Sequence, residues 1–315
     1  MKRFISLAIS TAILVILYSK INFQQLLKVF RDCNLAWLSI SLTMVIPITL
    51  ITAWRLQQLM PKNSNLGLLE ANRLILGSSV LNMILPSKMG EIAKAYFLRD
   101  RGHLSGSLSI SLVIFERIFD LLSLLFYCVL GLIIYPNKDE FFLVMTIGIL
   151  ISLSVGLLLI CSQNFALFFL KSLSKISPNS IKLKIQTLES SWQEMHQYFW
   201  SHPNQLITIT STSIFLWFLH LLQIWFFILA LNAWVPFVTN LALSSLAILA
   251  GLLPLTFAGV GTRDAALVYL YQPYFSASIG AALGILCTSR YFLPALVGLP
   301  FLNQMMSAVR QFKRS

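Results

Sequence analysis

Apolar runs long enough to cross a bilayer recur along this chain, and nothing else restricts its fold as strongly. They cover residues 4–19, 35–54, 105–135, 141–161, 205–231 and 276–301. A transmembrane helix needs roughly 20 apolar residues to cover about 30 Å of hydrocarbon. The short alternating strands of a membrane barrel are absent. Composition agrees. Hydrophobic residues make up 57% of the 315 and charged residues only 11%, against roughly 25% charged in a soluble domain. The expected class is an all-α polytopic membrane protein.

Two further apolar runs, 68–85 and 239–254, are shorter, and each ends in Pro/Gly-rich sequence. The first runs into "LPSKMGE" (85–91), the second into "LTFAGVGTRD" (255–264). A short helix could follow each turn and return to the same side. Irregular backbone at membrane depth is tolerated only where protein or a wet cavity surrounds it. The expected architecture is therefore six full spans plus two re-entrant hairpins, eight hydrophobic segments in all.

The formal charge is +12. Most Lys and Arg sit in short segments beside apolar runs, which fits the positive-inside bias and attraction to anionic lipid better than nucleic-acid binding. With the N-terminus inside, 15 basic residues fall inside, among them Arg55 and Lys94, and 4 outside. Four more, Lys88, Arg117, Arg263 and Arg290, are assigned to membrane depth. The expected location is the inner (plasma) membrane with both termini cytoplasmic. Lys2-Arg3 and the following apolar run resemble a signal peptide, but Tyr18-Ser19-Lys20 offers no small-residue cleavage site, so an uncleaved first span is expected. Cys33, Cys128, Cys161 and Cys287 are scattered, without a disulfide or metal-site pattern. Residues 21–32 and 171–200 read as amphipathic stretches beside the spans.

The two halves, 1–138 and 139–315, resemble each other within a single membrane domain. Glu91 precedes Arg117 by 26 residues, and Asp264 precedes Arg290 by 26. At the same offset of 173, Ala93, Tyr96, Ser105 and Phe119 match Ala266, Tyr269, Ser278 and Phe292. The expected topology makes the repeat inverted. Paired broken segments in two inverted halves are the best sequence pointer to a transporter's substrate site.

Four cations (Lys88, Arg117, Arg263, Arg290) then face four acids (Glu91, Glu116, Asp120, Asp264) at membrane depth. Each unpaired charge at the bilayer centre costs about 2.5–3.5 kcal/mol on insertion scales. Pairing is expected, first of all Glu91 with Arg117 and Asp264 with Arg290. One consequence is purely structural, ion pairs that lock hairpins against spans. The other is functional: the cations attract an anionic headgroup, with Arg suited to bidentate phosphate contact. Ser87 could cap the helix after the first turn, and Gly90, Gly259 and Gly261 allow close backbone approach. No catalytic, nucleotide-binding or cofactor motif is present. No cofactor is expected, nor is the chain expected to be an enzyme.

"NMILPSKMGEIAKAYFLR" (82–99), "FERIFDL" (115–121) and "LLPLTFAGVGTRDAAL" (252–267) resemble the lysylphosphatidylglycerol synthetase transmembrane, or flippase-like, family. The matching positions are Asn82, Pro86, Gly90, Glu91, Glu116, Arg117, Asp120, Pro254, Gly259 and Gly261. The best-known members fuse this membrane part to a soluble aminoacyltransferase, and the membrane part moves the modified lipid between leaflets. This chain stops about a dozen residues after its last expected span, so lysyl transfer is not carried over. The resemblance implies a flippase-like carrier of an anionic polar lipid or lipid-linked intermediate. The alternatives are a membrane enzyme or subunit, or a scaffold, working with a separate synthetase or glycosyltransferase.

Overall fold

A computed structural model describes residues 11, 13–15, 19, 21–61, 66–84, 89–101, 104–134, 140–176, 179–252, 260–303 and 306. The described residues are helical, with no strand among them. In chain order the helices are α1 (Phe23–Arg31), α2 (Leu35–Thr43), α3 (Val45–Leu59), α4 (Leu68–Ile84), α5 (Met89–Arg101), α6 (Gly106–Ile134) and α7 (Glu140–Cys161). They continue with α8 (Gln163–Ile176), α9 (Asn179–Ser201), α10 (Pro203–Ala230), α11 (Phe237–Leu252), α12 (Thr262–Leu270), α13 (Ala277–Ser289) and α14 (Phe292–Gly298). A 3₁₀ turn, Leu299–Phe301, follows α14.

Among the described residues, five stretches are long and apolar enough to cross a membrane: Leu35–Leu59, Gly106–Ile134, Phe142–Cys161, Pro203–Ala230 and Ala277–Phe301. They match five of the six expected spans. The sixth, 4–19, lies mostly outside the described residues. Two of the five are interrupted. Leu35–Leu59 breaks at Met44, three residues before Pro47, whose ring would clash with the carbonyl of Thr43 and which has no N–H to offer it. Ala277–Phe301 breaks at Arg290-Tyr291.

The chain forms two compact units, and each draws on both halves of the sequence. One unit comprises Thr49–Ser123, Ile147–Phe215 and Gly298–Ser315. Its core gathers Ala53, Leu56, Leu98, Phe115, Trp192 and Phe199, with the Phe115 and Phe199 rings stacked at 4.9 Å. Helices α4 and α5 pack against each other, as do α8 and α9. The stretch 171–200 is thus a helical pair whose inner face carries buried Trp192, Met195 and Phe199.

Within this unit Ile160, near the end of α7, leaves a carbonyl that the helix cannot satisfy. His196 Nε2 donates to it at 3.0 Å and Trp200 Nε1 at 3.1 Å. Burial pushes the His196 imidazole below its ordinary value, and the bond to Ile160 offsets this in part. The unfolded chain therefore takes up a proton at about pH 6.5, before the folded one does. Stability should fall as pH drops below that value. Thermal unfolding of the detergent-solubilised protein between pH 7.5 and 5.5 should show it, with a shallower slope in His196→Gln, which keeps an N–H donor.

The other unit comprises Met1–Ile48, Leu124–Thr146 and Leu216–Val297. Here α12 packs on both α11 and α13, and α13 packs on α1. Asn22 caps α1 by accepting from the backbone N–H groups of Gln24 and Gln25. Every residue of α11 from Asn240 to Ile248 is buried. Small side chains (Ala242, Ser244, Ser245, Ala247) let neighbouring backbones approach closely. Asn240 bonds through both ends of its amide: Nδ2 donates to Leu221 O at 2.9 Å, and Oδ1 accepts from Ser244 Oγ (3.0 Å) and Tyr271 OH (2.9 Å).

Candidate functional site

The first unit carries a buried ion network. Arg55 projects from α3, Glu91 and Lys94 from α5, Glu116, Arg117 and Asp120 from α6, and Ser213 from α10. Glu116 is its centre. Its Oε1 accepts from Arg55 Nη2 at 3.0 Å, and its Oε2 from Lys94 Nζ at 2.5 Å. Arg55 Nη1 donates to Asp120 Oδ1 at 2.5 Å and to Ser213 Oγ at 3.0 Å. Lys94 Nζ also lies 2.8 Å from Glu91 Oε2, one helical turn away. The side chains of Arg55, Lys94 and Glu116 are only 2%, 1% and 1% exposed.

Arg117 closes the network from its edge, with a side chain 39% exposed. Its guanidinium stands 3.0 Å from Asp120, 3.4 Å from Glu116 and 3.6 Å from Glu91. The expected Glu91–Arg117 pair is present, at a distance typical of an ion pair rather than a hydrogen bond. Three cations meet three carboxylates. Burial removes the hydration of Arg55, Lys94 and Glu116, and mutual neutralisation offsets that cost.

Asn82 and Gly90 place the pair α4–α5 beside the network. Gly90 N–H donates to Asn82 Oδ1 at 3.0 Å, and Asn82 Nδ2 reaches Glu91 Oε1 at 3.4 Å. A Cβ at position 90 would collide with the carbonyl oxygen of Ser78. Gly90 is therefore the residue that lets α5 begin against the backbone of α4.

The second unit holds Gly261, Arg263, Asp264 and Arg290. Gly261 has φ 101°, a left-handed conformation that favours glycine. Asp264 folds back over the start of α12. Its Oδ2 accepts from Gly261 N–H at 3.0 Å, and its Oδ1 accepts from Arg263 Nε (3.0 Å) and Nη2 (2.6 Å). Arg263 Nη2 also donates to Gly284 O and Thr288 Oγ1. The expected Asp264–Arg290 pair is not formed. The carboxylate is already taken by the adjacent arginine and by the helix's own first turn. Arg263, expected as a headgroup ligand, is held in place by these bonds.

Arg290 stands apart. It is 4% exposed, its Nη2 donates to Tyr291 OH at 3.0 Å, and its Cζ lies 5.0 Å from the Tyr291 ring centroid. Its Nε and Nη1 have no hydrogen-bond partner among the described residues. Pro86, Ser87, Lys88, Pro254 and Gly259 lie outside the described residues.

The family model for the lysylphosphatidylglycerol synthase TM region matches residues 3–298. The chain belongs to that family. Two similar proteins come from Methanocaldococcus jannaschii. UPF0104 membrane protein MJ1595 is 23% identical over 316 residues, covering 94% of this chain and 93% of the relative. UPF0104 membrane protein MJ1078 is 25% identical over 195 residues, covering 61% and 79%. Together with the apolar helices, the family makes the chain a multi-pass membrane protein.

Within this synthase TM region, sequence reasoning missed Arg55, Lys94 and Ser213. Arg55 and Lys94 were assigned to the aqueous inside on the strength of charge alone. For Lys94 a signal existed: Glu91-x-x-Lys94 places acid and base one turn apart. For Arg55 the apolar Leu56 and Leu59 beyond it were the only hint.

Proposed function

We propose that this protein moves or carries an anionic polar lipid, or a lipid-linked intermediate, between the leaflets of the plasma membrane. The observation that carries the reading is the set of buried charges within a membrane domain of a lipid-synthase family. Ionisable groups at membrane depth are costly and mark substrate pathways. Nine charged side chains among the described residues (Arg55, Glu91, Lys94, Glu116, Arg117, Asp120, Arg263, Asp264 and Arg290) lie in or beside buried clusters, and that concentration supports the reading. The headgroup phosphate meets the cations while the acyl chains stay in lipid.

Two inverted repeats, each with a re-entrant hairpin, complete the proposal. The packed pairs α4–α5 and α11–α12 occupy corresponding places in the two halves, which supports it. Both termini face the cytoplasm in this reading. Cysteines placed at 87 and 258 test the hairpins: each should react with an impermeant reagent from one side only, and opposite sides for the two.

Leaflet exchange tests the function. Purified protein in liposomes with fluorescent phosphatidylglycerol should accelerate exchange above protein-free vesicles. No acceleration with any candidate anionic lipid would sink the transport reading. A second reading draws on the family's own description as part of a synthase. In it the chain is the membrane subunit of a lipid-modifying enzyme, supplying or receiving lipid for a separate synthetase or glycosyltransferase. A bound lipid that emerges chemically altered only when that enzyme is added would favour it.

A further inference from the structure

The two halves treat their matching arginines in opposite ways. Arg117 and Arg290 correspond at the offset of 173, yet Arg117 stands among three carboxylates and Arg290 beside none. The sequence explains why. At that offset Glu116 corresponds to Ser289 and Asp120 to Leu293, and the remaining acid, Asp264, is engaged by Arg263. Of the buried cations Arg55, Lys94, Arg263 and Arg290, Arg290 is the one without an ion pair among the described residues. Among the described residues of the unit that holds Arg290, buried charge is thus two guanidinium groups against one carboxylate.

The backbone breaks at the same point. α13 ends at Ser289 and α14 begins at Phe292, so the apolar stretch 277–301 is interrupted at Arg290-Tyr291. The corresponding α6 runs unbroken past Arg117. Broken helices at membrane depth are where transporters hold their substrates. The carbonyl end of α13 and the Tyr291 ring attract a cation, but neither supplies a full negative charge. Three guanidinium N–H groups, on Nε and Nη1, still point to no acceptor.

We propose that Arg290 is the docking point for one singly charged phosphate ester, the phosphodiester of a lipid headgroup, with the Tyr291 hydroxyl as its neighbour. The assignment rests on the lipid-carrier reading and narrows it. The network around Glu116 neutralises itself and holds the fold, whereas Arg290 has one unit of charge to give. Arg suits the task because its planar donors match two phosphate oxygens at once. An empty site should carry a cost, since an uncompensated buried charge destabilises the protein.

The test uses the purified full chain in detergent with three probes: dihexanoyl phosphatidylglycerol, dihexanoylglycerol and inorganic phosphate. Wild type should bind the phospholipid. Arg290→Gln should weaken that binding at least tenfold and Arg290→Lys only severalfold, with dihexanoylglycerol unaffected by either change. Without ligand, Arg290→Gln should melt no lower than wild type, which separates lost binding from lost folding. If it fails to fold, the severalfold loss in Arg290→Lys carries the test alone. Equal phospholipid binding in wild type and Arg290→Lys or Arg290→Gln would overturn the assignment. Inorganic phosphate binding as tightly as the lipid would overturn the headgroup as its source. Leaflet exchange separates the two levels of the argument. Exchange that persists unchanged in Arg290→Gln leaves transport standing and removes Arg290 from it. Arg290-dependent binding without exchange keeps the site and removes transport.

Discussion

Glu116→Ala should be the most damaging single substitution in the ion network. Glu116 is the one carboxylate that both Arg55 and Lys94 share, through different oxygens. Its removal leaves Arg55 with Asp120 alone and Lys94 with Glu91 alone, while both cations stay buried. Breaking a buried pair by deleting one partner costs about 3–5 kcal/mol, because the surviving charge is uncompensated. The expected result is a sharply lower unfolding temperature in detergent, or failure to obtain monodisperse protein. Arg117→Gln should cost less, since Arg117 stands at the edge of the network, 39% exposed, and its removal leaves Glu116 and Asp120 their contacts with Arg55. Removing both members, as in Glu116→Gln with Lys94→Met, should recover part of the loss and report a coupling energy. A Glu116→Ala protein that melts at the wild-type temperature would show that the network does not hold this unit together. The comparison also matters for function. If Glu116 is a folding residue, lost transport in its variants says nothing about where the headgroup sits.

How far the sequence foretold the structure depended on how local each signal was. Apolar runs are local, and the five described spans lie within a few residues of their expected bounds, apart from the end of the second. That end was set at Trp54 because a charge follows. α3 instead continues to Leu59, since Arg55 meets acids 61 and 65 residues further along the chain. Lys94 misled in the same way. Counted with the inside charges it reads as solvated, but the fold brings Glu116 to it from 22 residues away. Charge counts cannot reveal such partners. Two arginines of the second half have partners other than the expected ones. Arg263 was read as free to bind a ligand, and its own neighbour Asp264 occupies it. Arg290 was expected both as the partner of Asp264 and as a headgroup ligand, and it has no ion pair among the described residues. Of the two acid–arginine pairs at a spacing of 26 residues, only the one in the first half comes together.

Gly90→Ala should separate α4 from α5, the helix that carries two of the six charges of that network. The new methyl group would collide with the Ser78 carbonyl and lie 2.6 Å from Asn82 Oδ1. The Ser78 oxygen belongs to the backbone of α4, so no rotamer change relieves the clash. α5 must move off α4, breaking the Gly90–Asn82 hydrogen bond and drawing Glu91 and Lys94 away from Glu116 and Arg117. Overpacking of this kind costs typically 1–3 kcal/mol, and the disturbed ion pairs should place it at or beyond the upper end. Gly148→Ala is the matched control. It lies in α7, exposed, with nothing within 4 Å of the added Cβ. There alanine's better helix propensity should leave stability unchanged or raise it by up to about 1 kcal/mol. Unfolding temperatures of the two variants, measured side by side, should therefore move in different directions. If Gly90→Ala behaves like Gly148→Ala, α4 and α5 are not packed backbone to backbone. Two helices that do not pack backbone to backbone have no need for glycine at position 90.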